Sequence, residues 1–196
     1  MKVYKLRSDR ANYMNVYISP HEIGAKLGDP FLISPDATQD ENLNWSEFWQ
    51  PLEISFQDDS DDNSVSLVPD ITWWHDNQLV LNQKAYEALK SELESYGEFL
   101  PLSCEGKAYW LFHVTKRTSI GAVDLKCSER TIDPVGLVDI VKITFKSEQV
   151  KSLYLFKTEY NNYLYNIYCT ELFKDIVESA DLSGLVFSDD MTNSPK

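Results

Sequence analysis

The most conspicuous absence in this sequence is positive charge over a long stretch of its N-terminal half. No Lys or Arg occurs between Lys26 and Lys84, although twelve Asp and Glu residues lie there. Since the whole chain carries a formal charge of −13, nearly all of the excess belongs to this stretch, which we call the acidic window (residues 27–83). A field of this sign repels phosphates and anionic lipid head groups and attracts cationic proteins, which disfavours nucleic acid as a partner.

Cysteines, glycine-rich loops and long apolar runs are also scarce. The three cysteines, Cys104, Cys127 and Cys169, are odd in number and widely spaced, so neither a disulfide framework nor a zinc motif is indicated. The seven glycines are isolated and form no phosphate-binding loop. No run approaches the ~18 apolar residues of a transmembrane helix, and the first residues lack a secretory signal pattern. We therefore expect a soluble, cytoplasmic protein without a metal or other cofactor.

What the sequence does contain is enough apolar material for one packed core. Hydrophobic residues make up 43% of the 196 residues, with 11 Tyr, 9 Phe and 5 Trp. A chain of this length is commonly one domain. We expect a single domain over residues 1–188, with a less regular acidic part at 1–68 and a frayed tail at 189–196.

Periodic apolar residues predict an α+β fold with a mostly antiparallel sheet. The two main helices are predicted at about 83–96 and 171–180, and Gly97 is expected to end the first of them in a left-handed conformation. Ser19 and Pro20 predict a short N-terminal helix that runs to about Leu27. The strand candidates are 3–6, 14–18, 52–57, 71–74, 99–104, 109–114, 138–145, 153–156, 164–168 and 185–187.

Large aromatic residues alternate with the acids of the window. Trp and Phe supply contact area at low entropic cost and recur as interface anchors, although aromatics at strand spacing are equally compatible with a core. Because no cation within the window compensates the acids, we expect a docking face for a basic protein. The predicted contact residues are Asp36, Asp40, Glu41, Trp45, Trp49, Asp58, Asp59, Asp61, Asp62 and Trp74.

One stretch of the window has the spacing of a calcium-binding loop. Asp59, Asp61, Asn63 and Asp70 stand at positions 1, 3, 5 and 12 of an EF-hand pattern. However, Ser64 replaces the glycine of position 6, the last ligand is not Glu, and no long helices flank the loop. The pattern therefore indicates a solvated acidic turn.

The histidines give no catalytic or metal motif. His21, His75 and His113 are not paired at helical spacing, and no cysteine lies in a nucleophile signature. We expect His113 to be structural, since it lies between Phe112 and Val114 in a predicted strand.

Several segments in the second part of the chain carry a family resemblance. They are Pro69–Trp74, Leu79–Asn82, Glu98–Leu102, Tyr109–Val114, Leu155–Phe156, Asn166–Phe173 and Leu182–Phe187. In order and apolar pattern they resemble a DUF1629-like family of bacterial immunity proteins, found beside polymorphic or secretion-delivered toxins. The resemblance spans about 69–187 and includes no catalytic motif. It implies a non-enzymatic protein of bacterial competition, type VI secretion included, which binds a cognate toxin and prevents self-killing.

The expected mode of action is occlusion of the toxin's active site. Toxins that attack nucleic acids are basic, and an acidic inhibitor fills a phosphate-binding cleft and gains association rate by electrostatic steering. Two alternatives stay open. One is an enzyme with an unrecognised site, which a pocket joining His75 or His113 with a cysteine and an acid would favour. The other is a generic acidic adaptor, whose gene would have no toxin gene beside it.

Overall fold

The structure is a computed structural model that describes residues 1–33, 44–60, 64–75, 78–134, 136, 138–161 and 166–192. Within these residues the chain forms an α+β fold in which strands outweigh helices. The strands are β1 (Val3–Ser8), β2 (Asn15–Ile18), β3 (Leu52–Gln57), β4 (Ile71–Trp74), β5 (Gln78–Asn82), β6 (Gly97–Cys104), β7 (Lys107–Val114), β8 (Arg117–Thr118), β9 (Glu129–Ile132), β10 (Val138–Lys142), β11 (Leu155–Thr158), β12 (Tyr168–Thr170) and β13 (Leu185–Ser188). The helices are α1 (Pro20–Leu27), α2 (Gln83–Leu93), α3 (Ser147–Val150) and α4 (Glu171–Ser179).

The strands form three sheets. The largest has the order β2-β3-β6-β7-β5-β4, the second has the order β13-β1-β12-β11-β8, and β9 pairs with β10. The β3/β6 and β8/β11 pairs are parallel and the other described pairs are antiparallel, which confirms the predicted mostly antiparallel sheet. The six-stranded sheet curls until its edge strands, β2 and β4, contact each other.

Side-chain caps determine where the helices begin. The Ser19 hydroxyl accepts a hydrogen bond from the backbone N–H of His21, Pro20 is the first residue of α1, and Gly28 ends the helix with a φ of 88°. Asn82 caps α2 by accepting from the backbone N–H of Ala85. Such caps satisfy N–H groups that the first helical turn leaves without intrahelical partners. The two main helices are therefore close to the predicted positions, but α2 ends at Leu93 instead of continuing to Tyr96.

Gly97 has a different function from the one predicted. Helix α2 has already ended, and Gly97 is the first residue of β6, paired with Val114. A Cβ at Gly97 would lie 2.1 Å from the carbonyl oxygen of His113. The glycine is therefore needed for the close approach of β6 to β7, and not for a left-handed turn.

Strand β5 was not among the predicted strands. The apolar run Leu79–Leu81 directly precedes the residue that caps α2. The sequence therefore suggests that this run is the segment leading into the helix, and not a strand. In the structure β5 lies between β4 and β7, and all three of these side chains are buried. A strand covered on both faces loses the alternation of apolar and polar residues that marks a half-exposed strand.

The sheets enclose three apolar cores. The first core lies between the five- and six-stranded sheets and includes side chains of α2 and α4, such as Leu89 and Phe173. The second lies on the other face of the six-stranded sheet and includes Ile23 of α1 and Trp45. A third, smaller core joins the β9–β10 hairpin to β11. The acidic window contributes mainly to the second core, so its loops surround that part of the molecule.

The two ends of the described chain meet in one sheet. Strand β1 is hydrogen-bonded to β12 on one side and β13 on the other. Beyond β13, the Lys5 ammonium donates to the backbone oxygen of Thr192 at 2.7 Å, and Lys2 forms a salt bridge of 2.7 Å with Asp189. These contacts hold residues 189–192, where the sequence predicts fraying, while 193–196 lie outside the described residues. No helix in the described ranges has the length and apolar character needed to span a membrane.

Candidate partner-binding surface

Half of the predicted contact residues can be located in the structure. Trp45, Trp49, Asp58, Asp59 and Trp74 are described, and they lie around the second core. The other five, Asp36, Asp40, Glu41, Asp61 and Asp62, lie outside the described residues.

The three tryptophans are more buried than contact anchors usually are. Trp45 is fully buried, and its ring stacks with that of His113 at a centroid distance of 4.0 Å and with that of Trp49 at 6.1 Å. Trp74 is also buried. Trp49 is half-buried and donates from its indole nitrogen to the carbonyl oxygen of Pro101 at 2.9 Å. Trp45 and Trp74 thus belong to the core beneath the surface, and Trp49 is the one of the three that is partly exposed to solvent.

The buried His113 and the half-buried Glu98 hold Trp45 in place. Glu98 accepts hydrogen bonds from the backbone N–H groups of Trp45 and Ser46, at 3.1 and 3.0 Å, at the start of a 3₁₀ turn (Trp45–Glu47). Its other contact is with Nδ1 of His113, 3.2 Å away. A carboxylate only accepts, so this nitrogen carries the proton of the neutral ring. The contact joins the acidic window to strands β6 and β7.

Burial and hydrogen bonding together determine the protonation states of this pair. Burial lowers the pKa of His113, although the Glu98 carboxylate opposes the shift. Burial alone would raise the pKa of Glu98, but hydrogen bonds from His113 and from the backbone of Ser46 and Trp45 lower it overall. The pair therefore consists of a neutral ring beside a carboxylate at neutral pH. The pair therefore has a structural role, because it ties the turn at Trp45 to strands β6 and β7. Glu98 was not among the predicted residues because it lies outside the acidic window.

Three carboxylates of the window also have structural contacts. Asp58 accepts from the backbone N–H groups of Ser60 and Val65, both at 2.8 Å, and the Ser60 hydrogen bonds lower its pKa. Glu53 accepts from the backbone N–H of Glu105 at 3.0 Å. Asp70 accepts from Asn82, Ser183 and Lys84. These groups hold loops in place, so the window is not a uniform field of free carboxylates.

Asp59 differs from these neighbours. It is exposed, and its Oδ2 atom accepts a hydrogen bond of 2.7 Å from the Asn15 side chain. No described Lys or Arg forms a salt bridge with Asp59. Asp59 is thus the predicted contact residue that combines exposure, charge and a fixed position.

A pocket of about 390 Å³ lies beside Asp59, where β2, α1 and β4 meet. Its walls include four aromatic residues, Tyr17, Phe31, Trp73 and Trp74. The volume falls within the range of ~300–1,000 Å³ that is usual for ligand sites. Two predicted contact residues, Asp59 and Trp74, are therefore brought together at one concave site.

The rim of this pocket exposes aromatic side chains that the sequence prediction did not include. Phe31 is 73% exposed and Tyr17 is 44% exposed. For Tyr17 a signal was present, because in β2 it is flanked by Val16 and Ile18, which face the second core. Phe31 lies in a loop after Asp29-Pro30, where no periodic pattern marks it. Arg10 and His75 also line the pocket, so its described charges are of both signs.

The described residues do not form the cysteine-histidine site that an enzyme of that class would need. His113 packs against Trp45 and Glu98, and the described lining of the pocket that contains His75 includes no cysteine. Cys169 is buried in the first core, and burial raises its pKa, which makes it a poor nucleophile. Cys127 is exposed and Cys104 is half-buried.

The EF-hand spacing does not gather ligands among the described residues. Asp59 and Asp70 have separate hydrogen-bond partners, Asn15 and Asn82, while residues 61–63 lie outside the described ranges. No group of three or more His, Cys, Asp or Glu side chains in the described part is arranged to hold a metal ion.

Comparison with known protein families gives a match in the C-terminal part of the chain. Residues 102–192 match the immunity protein family Imm11. This confirms the predicted resemblance to a family of toxin immunity proteins, over a segment that begins at residue 102. No curated protein matches the chain significantly.

Proposed function

Starting from the match of residues 102–192 to Imm11, we propose that this chain binds a cognate bacterial toxin and neutralises it. We further propose that the toxin is basic, that the chain covers its active site, and that both meet in the cytoplasm of the producing cell. The inhibitor acts by occlusion and performs no chemistry of its own.

The observation that supports a basic partner is the distribution of charge. The acidic window contains twelve acids and no Lys or Arg, whereas residues 102–192 contain ten Lys and Arg against thirteen Asp and Glu. An anionic surface raises the association rate with a cationic partner and disfavours anionic ones. A nuclease, whose substrate cleft must attract phosphates, is the class of toxin that fits this surface best.

The test is co-expression with the protein encoded beside this gene. We expect the neighbouring protein to stop growth when produced alone, and growth to recover when this chain is produced with it. A tagged copy of this chain should co-purify a protein of high isoelectric point. Growth arrest that this chain does not relieve, together with no co-purified partner, would refute the proposal.

A pair of matched variants tests which surface of the chain binds the toxin. Trp49→Ala changes a half-buried residue at the edge of the second core, while Leu172→Ala changes a 40% exposed residue of α4 within the family-matching segment. If the toxin docks on the acidic window, Trp49→Ala weakens protection and Leu172→Ala does not. The reverse pattern would place the interface on the α4 face.

A further inference from the structure

We infer that the pocket beside Asp59 receives an arginine side chain of the partner toxin. The inference rests on the proposed function and adds the chemistry of the contact. Its starting observation is the combination of aromatic walls with one fixed, exposed carboxylate.

The aromatic walls favour a flat, cationic group. Trp73, Trp74, Tyr17 and Phe31 all line the pocket, and the faces of such rings attract cations within about 6 Å of their centres. A guanidinium group is planar and weakly hydrated, so it stacks on aromatic faces more readily than the compact, strongly hydrated ammonium of lysine. The walls therefore select arginine over lysine.

The carboxylate selects a cation over an apolar or anionic side chain. Asn15 holds Asp59 through Oδ2, which leaves the Oδ1 atom available to a ligand in the described contacts. A guanidinium N–H group would form a charge-assisted hydrogen bond with Oδ1. An apolar side chain in the same place would bury the carboxylate without a partner, which is costly, and an acid would be repelled.

Arg10 and His75 do not remove this preference. Both are exposed residues of the lining, so the Arg10 guanidinium keeps its hydration when a ligand enters. The acidic window, which supplies part of the lining, contains no Lys or Arg, and the net charge of the chain is −13. The long-range field therefore attracts a cation toward the pocket, and the short-range contacts hold its guanidinium group.

The first experiment uses small probes with the complete chain. N-acetyl-arginine amide is titrated while the indole N–H signals of the tryptophans are followed by NMR. The comparison probes are the corresponding lysine, citrulline, leucine and aspartate amides. We expect saturable, millimolar binding of the arginine probe, with shifts confined to Trp73 and Trp74, and at least fivefold weaker binding of each other probe. Equal binding of citrulline, or preferred binding of leucine or aspartate, would overturn the assignment.

Two variants and one control locate the binding. Asp59→Asn keeps the shape and removes the charge, so the arginine affinity should fall about tenfold, as expected for loss of one charge-assisted hydrogen bond. Phe31→Ala removes a 73% exposed ring, so it should fold normally and bind arginine more weakly. Asp139→Asn, a matched change of an exposed acid on β10, should leave binding unchanged. Unchanged binding in Asp59→Asn would overturn the assignment.

Toxin binding then separates this inference from the proposed function. If the chain neutralises its toxin but the arginine probe does not bind, the pocket assignment is wrong and the proposed function stands. If the probe binds but no toxin is neutralised, the proposed function fails while the chemistry of the pocket stands. If the probe binds and Asp59→Asn and Phe31→Ala leave the toxin affinity unchanged, the toxin does not use this pocket, and the inference is overturned.

Discussion

The acidic window and the segment 102–192 carry their charges in different ways. The segment that matches Imm11 has nearly balanced charges, with one fully buried lysine, Lys157, whose side-chain nitrogen has no hydrogen-bond partner among the described residues. The window has one sign of charge and supplies part of the pocket, including Phe31, Asp59 and Trp74, while lining residues between Arg10 and Ile23 supply the rest. The pocket lies wholly outside the matched segment.

This difference suggests a division of roles. Specificity for a partner commonly arises from a limited set of contacts carried on a scaffold that can support different functions. We therefore propose that residues 102–192 supply the scaffold and the window supplies the recognition surface. The contact among Glu98, His113 and Trp45 joins the two parts, so substitutions there test whether the window depends on the scaffold.

The largest expected effect is from removing the central ring of this contact. Trp45→Ala should lower the free energy of unfolding by about 3–5 kcal/mol, because it leaves a cavity at a fully buried position. Urea denaturation followed by circular dichroism measures the change. Trp49→Ala, at a half-buried position, is the control and should cost clearly less. A loss below about 1 kcal/mol in Trp45→Ala would show that the window is only loosely attached to the scaffold.

The second prediction concerns the buried charge of the scaffold. Burial lowers the pKa of Lys157 to about 7, and the nearby Arg117 adds to the shift. The amine is therefore protonated in the unfolded chain, but largely neutral in the folded one, between about pH 7 and its ordinary pKa near 10.5. The unfolded state binds more protons there, so this group makes the protein more stable as pH rises above 7.

Lys157→Met should remove this dependence. We expect the variant to be more stable than the parent chain by roughly 2 kcal/mol at pH 7, since no charge needs to be desolvated. The stability advantage of the variant should shrink as pH rises toward about 8.5. The measurements stop at this pH because cysteine thiols titrate near it. Unfolding free energies at pH 7.0, 7.8 and 8.5 measure this, with Lys116→Met, an exposed neighbour, as the control. A constant difference across these pH values would contradict the account.

A smaller effect is expected at Glu98. Glu98→Gln loses a charged acceptor for the Trp45 and Ser46 backbone N–H groups, which should cost about 1–2 kcal/mol at pH 7. Because hydrogen bonds lower the pKa of Glu98 in the folded chain, its contribution is present above about pH 4.5 and is lost as pH falls further. The difference between variant and parent should therefore decrease as pH falls below about 4.5.

The lowered pKa of His113 affects both proteins, and the variant more strongly, because the variant lacks the Glu98 carboxylate that opposes the shift. The unfolded histidine takes up a proton below about pH 6.5 while the folded one resists it, so both should lose stability as pH falls below that value. Glu94→Gln, an exposed acid at the end of α2, is the control for loss of charge alone. A cost for Glu98→Gln that does not change with pH would show that the carboxylate charge is not what holds the turn.

Much of the fold could be predicted from local patterns. The caps at Ser19 and Asn82 fix the starts of α1 and α2, and the alternation of Leu52, Ile54 and Phe56 marks β3 with its observed ends, Leu52–Gln57. These signals depend on neighbours within a few residues of each other, so a single sequence contains them.

The remaining features depend on contacts between distant parts of the chain. Position 97 must be glycine because a Cβ there would collide with the carbonyl oxygen of His113. Glu98 caps a turn that begins at Trp45. The burial of Trp45 beside acids likewise depends on which sheet face covers it, which composition alone does not reveal. Composition was enough to predict an acidic face that includes Asp59. It could not predict the pocket or the exposure of Phe31, because both depend on tertiary contacts.

The most direct test of the central claim is the rate constant for association with the proposed toxin partner, measured at several salt concentrations. The test variant is Asp59→Lys/Asp61→Lys/Asp62→Lys, which leaves the hydrogen-bonded Asp58 intact. The control, Glu129→Lys/Asp139→Lys/Asp175→Lys, makes the same change of net charge at exposed positions of the segment 102–192. We expect roughly tenfold slower association of the test variant at low salt, a smaller loss at high salt, and little change in the control. Equal rates for the two variants at low salt would contradict recognition through the acidic window.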